Sequence, residues 1–163
     1  MNAKDAIRTA LKFSQNMPPK FLDDLSDADI LLRPVPNANH IAWQLGHLIA
    51  SECRLGQRLP GATYPELPAG FAEHHTKETS KIDPPKGFGT KAQYLELFNK
   101  VREATLANLE RLTEADLDKP TTGDISKMAP NVGSILLLAA NHALMHVGQF
   151  TVVRRKLGKP NVM

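Results

Sequence analysis

The sequence has few cysteine and aromatic residues and no long hydrophobic run. Cys53 is the only cysteine among 163 residues, which excludes an internal disulfide framework and a cysteine-rich zinc site. The longest uninterrupted apolar run, Ile135–Ala140, is far shorter than the ~20 residues that span a bilayer. The segment 1–17 mixes acidic and basic side chains without an apolar stretch, so we expect no secretory signal. These absences predict a cytoplasmic protein with no membrane partner.

The composition is that of an ordinary globular chain. Apolar residues make up 42% of the sequence and charged residues 23%, which argues against intrinsic disorder. The length predicts a single domain covering residues 1–163. The net charge of +3 is too small to indicate a nucleic-acid partner, and we expect none. The basic cluster near the C-terminus is interpreted as a helix end.

Prolines divide the chain, because a proline inside a helix costs ~3 kcal/mol. Four long windows contain no proline, and each carries apolar residues at helical spacing: 1–17, 37–59, 86–119 and 131–159. No pair of strands is indicated. The sequence therefore predicts an all-α four-helix bundle with a long loop, residues 60–89, between the second and third helices. Such a loop is either functional or a crossover that lets those two helices run in similar directions.

Capping residues support the helix boundaries. Asn37 or Asn39 is predicted to cap the second helix, Thr90 with Gln93 the third, and Asn131 the fourth. The fourth helix is expected to end after its basic residues, where glycine and then proline follow. A short extra helix is expected near Lys20–Leu25 or Asp27–Leu32.

A pair of histidines on the fourth helix is the sharpest chemical feature. His142 and His146 are four residues apart, so both imidazoles lie on one helical face, which also carries Ile135, Ala139 and Val153. Inward-facing imidazoles need partners, because an unpaired buried polar group costs ~1–3 kcal/mol. A metal ion satisfies both at once. Hydrogen bonds to carbonyls or a carboxylate are the alternative, and the spacing leaves both open.

A third metal ligand would have to come from another helix, and His47 is the candidate. It lies in the middle of the second helix, beside the core residues Leu48 and Ile49. His40 shares its face but is two turns away, ~10 Å, which is too far to bind the same ion. The adjacent pair His74 and His75 is expected to be solvated in the long loop.

Two segments resemble a known family. Trp43–Leu48 and Asn141–Phe150, continuing to the basic end Arg154–Pro160, are similar to the DinB/YfiT-like superfamily. The most specific shared element is His-x-x-x-His-x-Gly-Gln, here His142–Gln149, and the likeness covers nearly the whole chain in helix order and loop placement. The resemblance implies a four-helix bundle with a divalent metal held by three histidines. One ligand maps to His47 and the other two to His142 and His146.

The resemblance also implies a chemistry and a partner. Members of the superfamily are frequently homodimers and are described as metal-dependent hydrolases, and some relatives are S-transferases or isomerases that use low-molecular-weight thiols. Three neutral imidazoles leave zinc or nickel, the expected ions, an open position. That position can activate water or a thiol. Residues expected to orient the imidazoles or to line the pocket are His40, Trp43, Glu52, Asn141 and Gln149.

Two functions therefore stay open. The first is a metal-dependent enzyme that acts as a hydrolase or a thiol S-transferase on a small-molecule substrate. The second is a non-catalytic, stress-associated dimeric bundle in which the ion mainly braces the helices. The absence of a Gly-x-Ser-x-Gly element, a phosphate-binding loop and a dinucleotide fingerprint argues against serine hydrolase, nucleotide-binding and hydride-transfer functions.

Overall fold

The computed structural model describes residues 1–162. Helices and loops form all of this part of the chain, which contains no strand beyond one isolated bridge between Pro120 and Asn131. The helices are α1 (Ala3–Leu22), α2 (Ile41–Gly56), α3 (Lys91–Arg111), α4 (Glu114–Leu117) and α5 (Val132–Lys156). Four of them are long and one is a single turn, so the predicted all-α four-helix bundle is confirmed.

Contacts between the long helices show the relative directions in which these helices run. Gln44 of α2 hydrogen-bonds His146 of α5, whereas Arg102 of α3 bonds both Glu52 of α2 and the carbonyl of Ala139 of α5. Residue numbers therefore rise along α2 while they fall along α5, and these helices are antiparallel. The early part of α2 meets the early part of α3 through His75, whose ring lies against Gly46 and bonds the hydroxyl of Tyr94. Helices α2 and α3 thus run in the same direction, as a long crossover allows.

Helix α1 extends further than the proline positions predict. It continues through Pro18 and Pro19 to Leu22, so the expected limit at residue 17 is wrong. Each proline lacks the N–H that would bond a carbonyl one turn earlier. Phe21 and Leu22, at 4% and 0% exposure, are buried in the core, and this burial offsets the missing bonds. The short extra helix is a 3-10 turn, Asp29–Leu31.

The N-cap residues predicted for α3 and α5 are confirmed, whereas the N-cap predicted for α2 is not. Thr90 and Gln93 form a reciprocal capping box, and the Asn131 side chain accepts from the Ser134 amide at 2.8 Å. The prediction of Asn37 or Asn39 as the α2 cap is wrong. His40 is the N-cap, and its Nδ1 accepts from the amide of Trp43 at 3.1 Å.

The crossover between α2 and α3 is held against the bundle. It contains two 3-10 turns, Glu73–His75 and Thr79–Lys81. His74 is exposed, as expected, but His75 is 5% exposed, so the prediction that both histidines are solvated is wrong for His75. Its two ring nitrogens lie 2.6 Å from the carbonyl of Phe71 and 2.8 Å from the hydroxyl of Tyr94, and these bonds offset the cost of burial.

Helix α5 is the central element of the bundle. By length and composition alone it could cross a membrane. A buried helix of a helical bundle passes the same test, and α5 packs against α1, α2 and α4. The packing of α5 against α2 brings His142 and His146 next to α2.

Candidate metal centre

Three histidines from two antiparallel helices meet at one point. His47 lies on α2, and His142 and His146 lie one turn apart on α5. Their potential ligand nitrogens all lie within 4.8 Å of one another. His146 is buried, whereas His47 and His142 are partly exposed, so solvent can reach the cluster from one side. The structure therefore brings together all three histidines that were predicted as metal ligands.

The spacing of the α5 pair fits a tetrahedral ion. The Nε2 atoms of His142 and His146 are 3.1 Å apart. Two nitrogens bound at ~2.05 Å to a tetrahedral zinc ion lie roughly 3.4 Å from each other. The geometry and the ligand type therefore both suit a divalent metal that prefers imidazole.

Gln44 fixes the orientation of His146 and was not identified from the sequence. Its Oε1 lies 2.9 Å from Nδ1 of His146. Because an amide oxygen only accepts, the ring must donate from Nδ1, which leaves the lone pair on Nε2 facing the cluster. The amide nitrogen of Gln44 donates to the carbonyl of Asn39 at 2.9 Å. The available signal was position: Gln44 precedes His47 by three residues and so shares its helical face.

Trp43 supports His47 and ties the crossover to the site. Its ring stacks on His47 with centroids 4.8 Å apart and planes 9° apart. The indole Nε1 donates to the carbonyl of Thr76 at 2.9 Å. Trp43 therefore lies next to the cluster, where the sequence placed it among the pocket residues, and it packs beneath a candidate ligand.

Burial keeps the three imidazoles neutral. Loss of hydration lowers the pKa of His142 to about 4 and that of His146 to about 3. The neighbouring histidines of the cluster lower both pKa values further, and Arg54 also lowers that of His142. Burial also lowers the pKa of His47, against a smaller opposing effect of the His75 backbone. Neutral imidazole is the form that binds a metal, so the site is ready for one at neutral pH.

His40 lies at the start of α2 but is not part of the cluster. It is fully buried, and its ring packs edge-on against Phe88 at 4.4 Å. Burial lowers its pKa to about 4, which keeps Nδ1 free to cap the helix. Its role is therefore to begin α2, with no contact to the candidate ligands among its hydrogen bonds.

The three other candidate supporting residues point elsewhere. Glu52 is 4% exposed, and its carboxylate accepts from Arg102 at 2.8 Å and from Thr105 at 2.6 Å. Asn141 and Gln149 are exposed on α5. Within residues 1–162, none of these three side chains hydrogen-bonds a histidine of the cluster. Asn141 is next to His142 in sequence, and a helix turns 100° per residue, so the two side chains point in different directions.

Comparison with known proteins supports the fold and shows the family of this chain. YfiT from Bacillus subtilis is described as a probable metal-dependent hydrolase with an unusual four-helix bundle topology. Its structure matches with a TM-score of 0.68 at 18% identity, covering 96% of this chain and 89% of that one. No curated protein matches the sequence. The family model of the DinB superfamily matches residues 10–150, and the chain belongs to that superfamily.

Proposed function

We propose that this protein is a metal-dependent enzyme whose three histidines hold a divalent ion with an open coordination position. The observation that carries the proposal is the meeting of His47, His142 and His146, with their ligand atoms within 4.8 Å of one another. When bound, such an ion acts as a Lewis acid that lowers the pKa of a water or thiol to near neutrality or below.

The protein residues prepare the site for that chemistry. Burial holds the imidazoles neutral, Gln44 sets the tautomer of His146, and Trp43 positions the ring of His47. Such supporting contacts raise metal affinity because they fix the ligand rings before the ion arrives. The partly exposed His47 and His142 leave one side of the cluster open to a small molecule.

Hydrolysis is the first candidate reaction. The similar structure of YfiT, described as a probable metal-dependent hydrolase, supports it. Three neutral ligands leave an ion its full charge, which suits activation of a bound water.

Thiol transfer is the second candidate, and a specific observation favours it. Across residues 1–162, no carboxylate hydrogen-bonds any of the three histidines, so none of their recorded hydrogen bonds positions a general base. A thiol needs no such base, because a coordinating thiol is deprotonated by the ion itself. A low-molecular-weight thiol is therefore a second substrate class for the same site.

Metal analysis of matched variants tests the proposal. We expect elemental analysis and titration with Zn²⁺ and Ni²⁺ to give about one ion per chain for the unaltered protein. His142→Ala should weaken metal binding at least ~100-fold and abolish metal-dependent turnover while the helical circular dichroism remains. His74→Ala is the control, because it removes an exposed histidine outside the cluster.

The outcomes separate the candidate functions. Turnover of ester or amide substrates by the loaded protein indicates a hydrolase, and turnover that requires an added thiol indicates a transferase. A large fall in melting temperature on chelation, without turnover of either kind, supports an ion that only braces the bundle. Full activity of a metal-free His142→Ala variant would show that the proposal is wrong.

A further inference from the structure

Two unpaired cations flank the partly exposed side of the histidine cluster. Arg54 lies on α2 seven residues after His47, which places it on the same helical face, about 10 Å along the axis. Lys77 follows Thr76, whose carbonyl is bonded to Trp43 directly beneath His47. Both side chains are exposed. One cation thus comes from the bundle and the other from the crossover.

Neither cation is neutralised by a salt bridge. Several exposed basic residues elsewhere pair with acids, such as Arg8 with Glu110 and Lys100 with Glu96. In the described part of the chain, the side chains of Arg54 and Lys77 form no ion pair and no hydrogen bond. Glu78, next to Lys77, is the nearest acid in sequence. Its carboxyl hydrogen-bonds its own backbone and Thr76, and it interacts with Lys81 and Lys77 only through the weaker Coulombic attraction. The two positive charges therefore remain available to a ligand.

Within residues 1–162, the charged side chains that act on the pKa of the cluster are cations. Arg54 lowers the pKa of both His47 and His142, and Lys77 lowers that of His47. No carboxylate in residues 1–162 acts on the pKa of any of the three imidazoles. A divalent ion at the cluster would add to this charge. These cations do not strengthen the binding of a neutral substrate and they repel a cationic one, whereas they attract an anionic substrate.

We propose that Arg54 and Lys77 make this site selective for small anionic substrates, which carry a carboxylate or another negative group close to the reacting atom. The inference rests on the proposed metal-dependent function and names its substrate class. Exposed charges act over a Debye length of ~8 Å at physiological salt, so each cation acts on a charged group of the substrate that lies close to it. In this proposal Arg54 and Lys77 contact the negative group of the substrate, whereas the three imidazoles bind the ion.

A matched pair of thiols tests this selectivity. The probes are 3-mercaptopropionate and 3-mercaptopropionamide, which differ in charge but hardly in size. The protein is loaded with Co²⁺, and thiol binding is followed by the sulfur-to-cobalt charge-transfer absorption. We expect the unaltered protein to bind the carboxylate about fivefold to tenfold more tightly than the amide, as two exposed charge contacts provide.

Charge-removing variants assign the preference to these two residues. Arg54→Gln combined with Lys77→Gln should bring the two thiols to within about twofold of each other, with unchanged Co²⁺ affinity. Arg58→Gln combined with Lys86→Gln is the control. It removes the same charge from exposed residues of α2's end and the crossover, neither of which acts on the pKa of the imidazoles. This control should keep the preference.

The results also separate this inference from the proposed function. Failure to bind Co²⁺ contradicts the metal site itself. Normal Co²⁺ binding overturns the anion selectivity alone in three cases: the unaltered protein binds both thiols equally, it binds neither, or the Arg54 and Lys77 variant keeps the preference.

Discussion

Helix α2 carries two buried polar regions whose hydrogen bonding differs sharply. Near its middle, His47 meets the α5 pair His142 and His146. Less than two turns later, the carboxylate of Glu52 meets Arg102, which is 0% exposed. Both regions place polar groups between helices, where an unsatisfied group is costly. They solve that problem in different ways.

The Glu52 region is satisfied entirely by the protein. Arg102 donates to both oxygens of Glu52 and also to Leu11, Ser14 and Ala139, and Thr105 supplies a further hydrogen bond to Glu52. In contrast, the hydrogen bonds of the histidine cluster to the rest of the protein are few: Gln44 bonds His146, and the His75 backbone interacts with His47. One nitrogen of each imidazole lies within 4.8 Å of the other two. Closed hydrogen bonding is typical of a structural region. Lone pairs directed at a common point are typical of a site that binds an ion.

The largest expected effect is on the Glu52 region. Arg102→Met removes the cation and leaves a buried carboxylate without its partner, which should cost about 3–5 kcal/mol in the free energy of unfolding. Urea denaturation measures the loss. The control combines Arg102→Met with Glu52→Leu, which removes both charges and should recover at least half of it. A loss below ~1 kcal/mol for the single variant would contradict the structural role of the pair.

A smaller effect is expected on the histidine side. Gln44→Leu removes the oxygen that fixes the tautomer of His146, so metal affinity should fall about tenfold to hundredfold. Competition with a chromophoric chelator measures this affinity. Gln149→Leu alters an exposed glutamine of α5 and should leave it unchanged. Equal affinities for the two variants would show that Gln44 does not orient the ligand.

The last expected effect concerns pH. The pKa values of His142 and His146 are lowered to about 4 and about 3, whereas unfolded histidines titrate near ~6.5. Below that value the unfolded chain binds protons that the folded chain does not. Stability of the metal-free protein should therefore be greatest above pH ~6.5 and fall as the pH drops toward 4.

Melting temperatures between pH 7.5 and 4.5, measured with a chelator present, check this slope. The double variant His142→Asn with His146→Asn removes two of the titrating groups and should show a shallower decline. His74→Asn, which changes an exposed histidine, should retain the slope of the unaltered protein. Identical slopes for the double variant and the unaltered protein would contradict the burial of these rings.

Local signals in the sequence were sufficient for part of the site. The four-residue spacing of His142 and His146 places them on one face of any helix, and the isolated His47 on an apolar helix marked the third position. Gln44 was missed although it shares a helical face with His47, because that spacing alone does not show that a glutamine orients an imidazole of another helix. Glu52 was expected to orient an imidazole because carboxylates commonly do so, but its partner Arg102 lies 50 residues away.

The helices, most of their caps and the candidate ligand residues follow from the sequence alone, because periodicity and capping act over a few neighbouring residues. The tertiary structure decided what depends on distant parts of the chain. It extended α1 through two prolines by burying Phe21 and Leu22, it placed the ring of His75 between α2 and α3, and it set Lys77 beside the cluster. Burial and partner choice are properties of packed surfaces, and only folding brings those surfaces together.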